Sequence, residues 1–188
     1  IIEEVKNLLN KGYREIILLG QNVNGYGKDF MKNSKKSPTT RQELSFPELL
    51  KKVDSLSEHF WLKFLTSHPY DMSGELISAM SQCKNLNDYI HLPVQSGSNK
   101  ILKKMNRHYK IANYKKLIKK IRQKLPNIAI STDIIVGFCS ETENDFKATL
   151  KLAKDLNYNM AYMGQYSSRV GTVAHRLYTD DVSKSAKK

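Results

Sequence analysis

Apolar and polar positions fall in alternating blocks along this chain. Five short apolar runs read as buried strands: Glu15–Gly20, Trp61–Thr66, Asp88–Leu92, Ile128–Val136 and Met160–Gln165. None has the strict polar alternation of a half-exposed sheet, so they suit parallel strands covered on their outer face. Between them, apolar residues recur at three and four positions. Ile111, Tyr114, Ile118, Ile121 and Leu125 make one helical stripe, stopped by Pro126 and Asn127. Phe146, Leu150, Ala153 and Leu156 make another after Thr142, with Asp145 placed to complete a capping box. Phe46, Leu49, Leu50, Val53 and Leu56 form a third stripe, and Ser73–Gln82 a weaker one. Ile1–Asn10 is amphipathic, and Ser98 is placed to cap a helix beginning at Asn99. The order α-β-α-β-α-β-α-β-α-β predicts an α/β fold with a parallel sheet.

Two architectures share that order, an open doubly wound sheet and a (β/α) barrel or part of one. Polar and glycine-rich stretches follow the strands in succession: Gly20-Gln21-Asn22, Thr66-Ser67-His68-Pro69, Pro93 to Ser98, Gly137 to Glu141, and Tyr166 to Arg169. Chemistry spread over consecutive strand ends is the barrel pattern, whereas a doubly wound sheet concentrates it at one switch point. The expectation is an incomplete (β/α) part-barrel, parallel strands with outer helices. Trp61, at the start of a strand, is expected in the core. Lys28–Arg41, polar with Pro38, is expected as a surface loop.

Charge sharpens this picture. The 188 residues carry 31 Lys and Arg against 18 Asp and Glu, a net charge of +13, which favours polyanionic partners. Lys100 to Lys124 holds 11 Lys and Arg and no acid. Such a run fits a nucleic-acid surface and equally a solvated helix face in a lysine-rich protein. Ordinary hydrophobic (40%) and charged (26%) content argues for a globular core. Two distant cysteines build neither a disulfide framework nor a four-ligand metal site. No apolar run approaches the ~18 residues of a membrane span, and no leader pattern is present. A cytoplasmic setting is expected.

The strand-end residues offer chemistry with a plainer alternative beside each. Gln21, Asn22 and Asn24 are amides that bind ligands through paired donors and acceptors, or that simply build a turn. His68 is a base or ligand, or a histidine held in a turn ahead of Pro69. Gln95, Ser96 and Ser98 precede a helix N-terminus that suits an anion, and Ser98 also caps it. Asp133, inside an apolar strand, meets ribose hydroxyls or makes a structural hydrogen bond. Glu141 sits on its loop or caps the next helix. Arg169 suits bidentate pairing with a carboxylate or phosphate. Cys83 and Cys139 read as small buried residues.

Longer strings carry more than composition. Leu18-Leu19-Gly20-Gln21-Asn22-Val23-Asn24-Gly25-Tyr26-Gly27, Thr66-Ser67-His68-Pro69 and Asp133-Ile134-Ile135-Val136-Gly137-Phe138 with Glu141-Thr142 resemble, in order, motifs of the radical S-adenosylmethionine (SAM) methylthiotransferases. So do Tyr166-Ser167-Ser168-Arg169-Val170-Gly171-Thr172 and, most specifically, His91-Leu92-Pro93-Val94-Gln95-Ser96-Gly97-Ser98 followed by Leu102, Met105, Arg107 and Tyr109. The variants at Gly20–Asn24 and His91–Ser98 resemble the tRNA (MiaB-type) branch. The resemblance implies methylthiolation at C2 of N6-isopentenyladenosine beside the anticodon. One SAM would supply the methyl group, a second would be cleaved at a 4Fe–4S cluster, and an auxiliary cluster would deliver sulfur. It implies tRNA as partner, an electron donor such as flavodoxin or ferredoxin, and no membrane. Gln21, Asn22, Gln95, Ser96, Ser98, Asp133 and Arg169 would face SAM. His68, Lys103, Lys104 and Arg107 would face RNA.

The sequence also departs from that family. The Cys-x-x-x-Cys-x-x-Cys that would hold the radical cluster is missing, Cys139 and Val170 stand where proline is usual, and Cys83 and Cys139 match no cluster ligand. The expectation is therefore a partial radical SAM core over residues 1–171 and an exit segment over 172–188. Alone it is expected to be inactive, with its metal ligands elsewhere in a longer protein. The alternatives are the ribosomal-protein branch, which modifies an aspartate, a catalytically dead RNA-binding remnant, and an unrelated part-barrel enzyme for a phosphorylated small molecule.

Overall fold

The computed structural model describes residues 1–28, 44–65 and 67–188. The loop expected at Lys28–Arg41 lies outside these residues beyond Lys28, as does Thr66. The described chain divides into two compact units, residues 1–91 with 121–128, and residues 92–120 with 129–188.

The first unit opens on α1 (Ile2–Asn10), with Glu3 and Glu4 in its first turn, where the helix dipole favours acids. It leads through Gly12, whose φ is +89°, to β1 (Glu15–Leu18). β1 pairs in parallel with β2 (Trp61–Phe64), Ile16 opposite Leu62 and Leu18 opposite Phe64. Between them, α2 (Phe46–Asp54) starts at a capping box in which Ser45 and Glu48 exchange hydrogen bonds, with Pro47 in the first turn. Its stripe of Phe46, Leu49, Leu50 and Val53 is buried, and Phe46 meets Phe64 edge-on at 5.2 Å. α3 (Gly74–Met80), capped by Ser73, and β3 (Tyr89–His91) complete the order.

The second unit is built on β4 (Ala129–Val136) and β5 (Met160–Gln165), parallel over six residue pairs from Ser131–Met160 to Val136–Gln165. They are joined by α6 (Glu143–Leu156), whose Thr142–Asp145 capping box forms as expected. Ahead of β4 come α4 (Asn99–Lys104) and α5 (Ile111–Lys124), whose residues from Ile121 on count with the first unit. They are two helices because Asn106 turns left-handed, with φ of 57°. Tyr114 of α5 is buried and donates from Oη to Leu92 O at 2.8 Å. α7 (Val173–Leu177) follows β5, and Ala174 packs with Tyr178 on Ile101, Phe138 and Cys139.

Two expectations about burial are corrected. Trp61 is 66% exposed. It shares a sheet face with Glu15 and Lys63, while the alternate residues Leu62 and Phe64 supply the buried face. β5 is not covered either: Met160, Tyr162 and Met163 are exposed although the segment reads as apolar. Apolar composition specifies a strand but not which of its faces receive a layer.

Candidate functional site

In the first unit, the loops after β1 and β2 are clasped by an amide. Asn24 is buried; its Nδ2 donates to His68 O at 3.0 Å and its Oδ1 accepts from His68 N at 2.9 Å. Asn24 therefore spends both polar ends on backbone. The neighbouring amides stay outward: Gln21 and Asn22 are exposed, and Asn22 donates to Asp71. Lys28 donates to the other oxygen of Asp71. His68 is half-buried, and its Nδ1 accepts from Tyr70 N at 3.2 Å, which leaves the proton of a neutral ring on Nε2.

Burial of Asp71 opposes its charge, but the hydrogen bonds from Lys28 and Asn22 outweigh burial and hold its carboxyl below the usual range. A depressed folded-state value stabilises the fold above the unfolded value and loses that contribution as pH falls through the folded one. Wild type and Asp71→Asn are thus expected to differ fully in denaturant midpoint at neutral pH. The difference should shrink below about pH 4. A difference that grows on acidification would remove this pairing.

In the second unit, the loop after β3 is tied from several sides. Gln95 N donates to Asp133 O at 2.8 Å and Gln95 O accepts from Ile135 N at 2.9 Å, an isolated parallel bridge opposite Ile134. Thr132 Oγ1 accepts from Val94 N at 2.9 Å and donates to Leu92 O at 3.1 Å. Tyr109 Oη donates to Val94 O at 3.0 Å, and burial pushes that phenol up to about 12. Gln95 has φ of 70° and is 7% exposed, and its side-chain amide has no hydrogen-bond partner among the described residues.

The serines that follow turn into the packing. Ser96 Oγ lies 3.4 Å from Thr149 Oγ1 and accepts from Ser98 N at 3.1 Å. Ser98 Oγ donates to Asp145 Oδ1 at 2.6 Å and accepts from Ile101 N at 3.4 Å, so it caps α4.

After β4, Gly137 N donates to Glu141, which closes its own loop. The Oε1 of Glu141 is buried without a partner among the described residues, and burial raises this carboxyl despite the Gly137 bond. The tail returns to the same strand end. Asp181 accepts from Ser140 N at 2.6 Å, and Lys187, 8% exposed, donates to Tyr166 O at 3.1 Å and Asp180 at 2.5 Å. Lys187, Glu141, Phe146 and Met163 line a cavity of about 520 Å³. Asp133 is half-buried rather than enclosed, and Arg169 is exposed.

The basic run is only partly available. Lys100 pairs with Asp145 at 2.9 Å, Lys115 with Asp155 at 2.7 Å, and Lys104 lies 5.1 Å over the Tyr178 ring. Lys103, Lys110, Lys116, Lys119 and Lys120 are exposed, and Arg107 is half-buried. Thus Gln21, Asn22 and His68 are placed in the first unit, and Gln95, Ser96, Ser98, Asp133, Arg169, Lys103, Lys104 and Arg107 in the second.

Asp71, Thr132, Thr149 and Lys187 were not legible as site residues. Asp145 was visible only as a cap, since its bond to Ser98 spans 47 positions. Among the described residues no group of three metal-ligating side chains occurs. Cys139 is buried and Cys83 half-buried with its thiol pushed up to about 12 by burial. The described residues therefore do not fit an iron–sulfur cluster.

Parallel strands followed by loops that carry amide, carboxylate and cationic side chains define an α/β protein of the strand-end-site class. Residues 1–153 match the Radical SAM superfamily, and the chain belongs to that superfamily. It is 47% identical over 184 residues to a tRNA-2-methylthio-N(6)-dimethylallyladenosine synthase of Clostridium botulinum (strain Hall), covering 98% of this chain and 38% of that protein. It is 48% identical over 187 residues to the enzyme of the same name from Thermoanaerobacter sp. (strain X514), covering 100% and 37%. The chain thus spans well under half the length of these relatives. Coproporphyrinogen III oxidase (HemN) from Escherichia coli, a radical SAM enzyme, shares the fold over 74% of this chain and 32% of its own, with a TM-score of 0.60 at 18% identity. The parallel α/β class expected from the sequence is the one found. No helix among the described residues is long and apolar enough to cross a membrane.

Proposed function

We propose that this chain is part of a tRNA methylthiotransferase that replaces the C2 hydrogen of N6-isopentenyladenosine with a methylthio group. The observation that carries this reading is the 47% identity sustained over 184 residues, which includes every strand-end loop. SAM, when bound, supplies the methyl group and the radical chemistry. Gln95 offers an amide with no partner among the described residues, in a backbone conformation held by Asp133 and Ile135. Asp133 and Arg169 supply a carboxylate for hydroxyls and a guanidinium for a carboxylate. Gln21 and Asn22 present amides after β1. In this reading Ser96 and Ser98 shape the loop that carries Gln95, and the 4Fe–4S ligands belong to other parts of a longer cytoplasmic protein. A flavodoxin- or ferredoxin-like donor supplies electrons.

The test is to supply the full-length protein, under reducing anaerobic conditions, with SAM and tRNA bearing isopentenyladenosine, then digest the RNA for mass spectrometry. Methylthiolated nucleoside is expected. A methylthio group found instead on a ribosomal-protein aspartate would move the protein to the sister branch, and no product on either would leave an RNA-binding remnant.

RNA contact is assigned to the exposed cations Lys103, Lys116, Lys119 and Lys120 with Arg107 in the second unit, and to His68 in the first. Replacing Lys116, Lys119 and Lys120 by Glu is expected to weaken tRNA binding at least about tenfold near 100 mM salt. The slope of log K against log salt should fall by about 2 to 3. An unchanged slope would exclude this helix from the interface.

A further inference from the structure

Asp145 is the third residue of α6, and capping accounts for only part of its bonding. Its Oδ2 accepts from Thr142 N at 3.0 Å and Thr142 Oγ1 at 2.7 Å, which is the cap. Oδ1 also accepts from Ser98 Oγ at 2.6 Å, and Oδ2 from Lys100 Nζ at 2.9 Å. Lys100 in turn donates to Ser140 O at 2.9 Å. One carboxylate is therefore bonded to the loop after β3 and, directly and through Lys100, to the loop after β4.

Both loops contain a non-glycine residue in the left-handed region, Gln95 with φ of 70° and Ser140 with φ of 63°. Such conformations persist only where the surroundings impose them. Burial disfavours a charge on Asp145, yet the bonds from Ser98, Thr142 and Lys100 prevail and keep it ionised far below the usual range. A carboxylate accepting four hydrogen bonds, one from an ammonium, is a strong and directional tie.

We propose that Asp145 is a positioning residue for the ligand site, holding the loops after β3 and β4 in the arrangement that presents the Gln95 amide, and acting through Ser98 and Lys100. This rests on the reading of Gln95 as a SAM contact.

Three variants of the full-length protein test it: Asp145→Ala, Lys100→Met and Thr142→Ala. The last weakens the same helix cap while leaving Asp145 on Ser98 and Lys100. The readouts are SAM dissociation constant by equilibrium dialysis, kcat and KM for SAM, and hydrogen exchange over residues 95–98 and 139–142. Asp145→Ala should raise Kd and KM about tenfold or more with kcat changed by less than about threefold, and speed exchange in both loops together. Lys100→Met should raise Kd about threefold and speed exchange in both loops. Thr142→Ala should leave Kd within about twofold.

Equal loss of affinity in Thr142→Ala and Asp145→Ala would reduce Asp145 to a stabilising cap. Unchanged exchange at 95–98 in Asp145→Ala would overturn the coupling. Should Asp145→Ala not fold, Lys100→Met decides, since that side chain is 49% exposed and dispensable for packing; unchanged exchange there overturns the proposal. A wild-type protein that binds no SAM would overturn the functional reading instead, while exchange still decides the coupling.

Discussion

Gly97→Ala is expected to destabilise the protein by about 3 kcal/mol or more, read as a drop in denaturant midpoint and in soluble yield. A Cβ at Gly97 would lie 2.5 Å from Thr149 Cα and 2.6 Å from Ala148 O. Both are backbone atoms of α6, so no side chain can swing aside. Either the helix or the loop after β3 must move, and moving the loop breaks the 2.9 Å bond from Gly97 N to Thr149 Oγ1. It also draws Ser96 and Ser98 away from Thr149 and Asp145. A loss below about 1 kcal/mol would mean that α6 is not seated on this loop as described.

Asn24→Leu is expected to cost about 2–4 kcal/mol. The side chain fits by size, but at this buried position it removes the acceptor for His68 N and one of the two donors to His68 O, leaving only Asp71 N at 3.0 Å. Asn24→Asp keeps the acceptor for His68 N and sets a carboxylate against His68 O. It should therefore destabilise more at neutral pH than in acid, where a protonated carboxyl donates again. Parallel denaturation curves at two pH values check this sign. Equal losses at both would show that the Nδ2–His68 O bond contributes little.

These two residues mark where sequence reading stops. Gly97 stands in the most specific string of the chain and Asn24 in the string after the first strand, and neighbours of each read there as ligand-facing. In the fold, Gly97 is small because the helix backbone at Ala148 and Thr149 passes over it, and Asn24 is an amide because it both donates to and accepts from the backbone 44 residues later. A motif reports that a residue type is required; it does not report whether a ligand or another part of the chain requires it. Asp145 shows the same ambiguity in reverse, since its capping role was visible from Thr142 and hid its bond to Ser98.

Local periodicity by itself determined the five strands, the stripe helices, the Thr142–Asp145 cap and the parallel α/β class, because each depends on residues within one or two turns or one strand. The motif strings gave the radical SAM membership. Only the tertiary structure decided that Trp61 and β5 are exposed, that Ser96 and Ser98 bond inward, that Lys100 and Lys115 are neutralised by Asp145 and Asp155, and that Lys187 returns to the end of β4. The bonds to Ser98, Lys100, Lys115 and Tyr166 among these join residues about 20 to 50 positions apart. Burial and hydrogen-bond satisfaction are properties of such pairs, and a one-dimensional pattern contains only one member of each at a time.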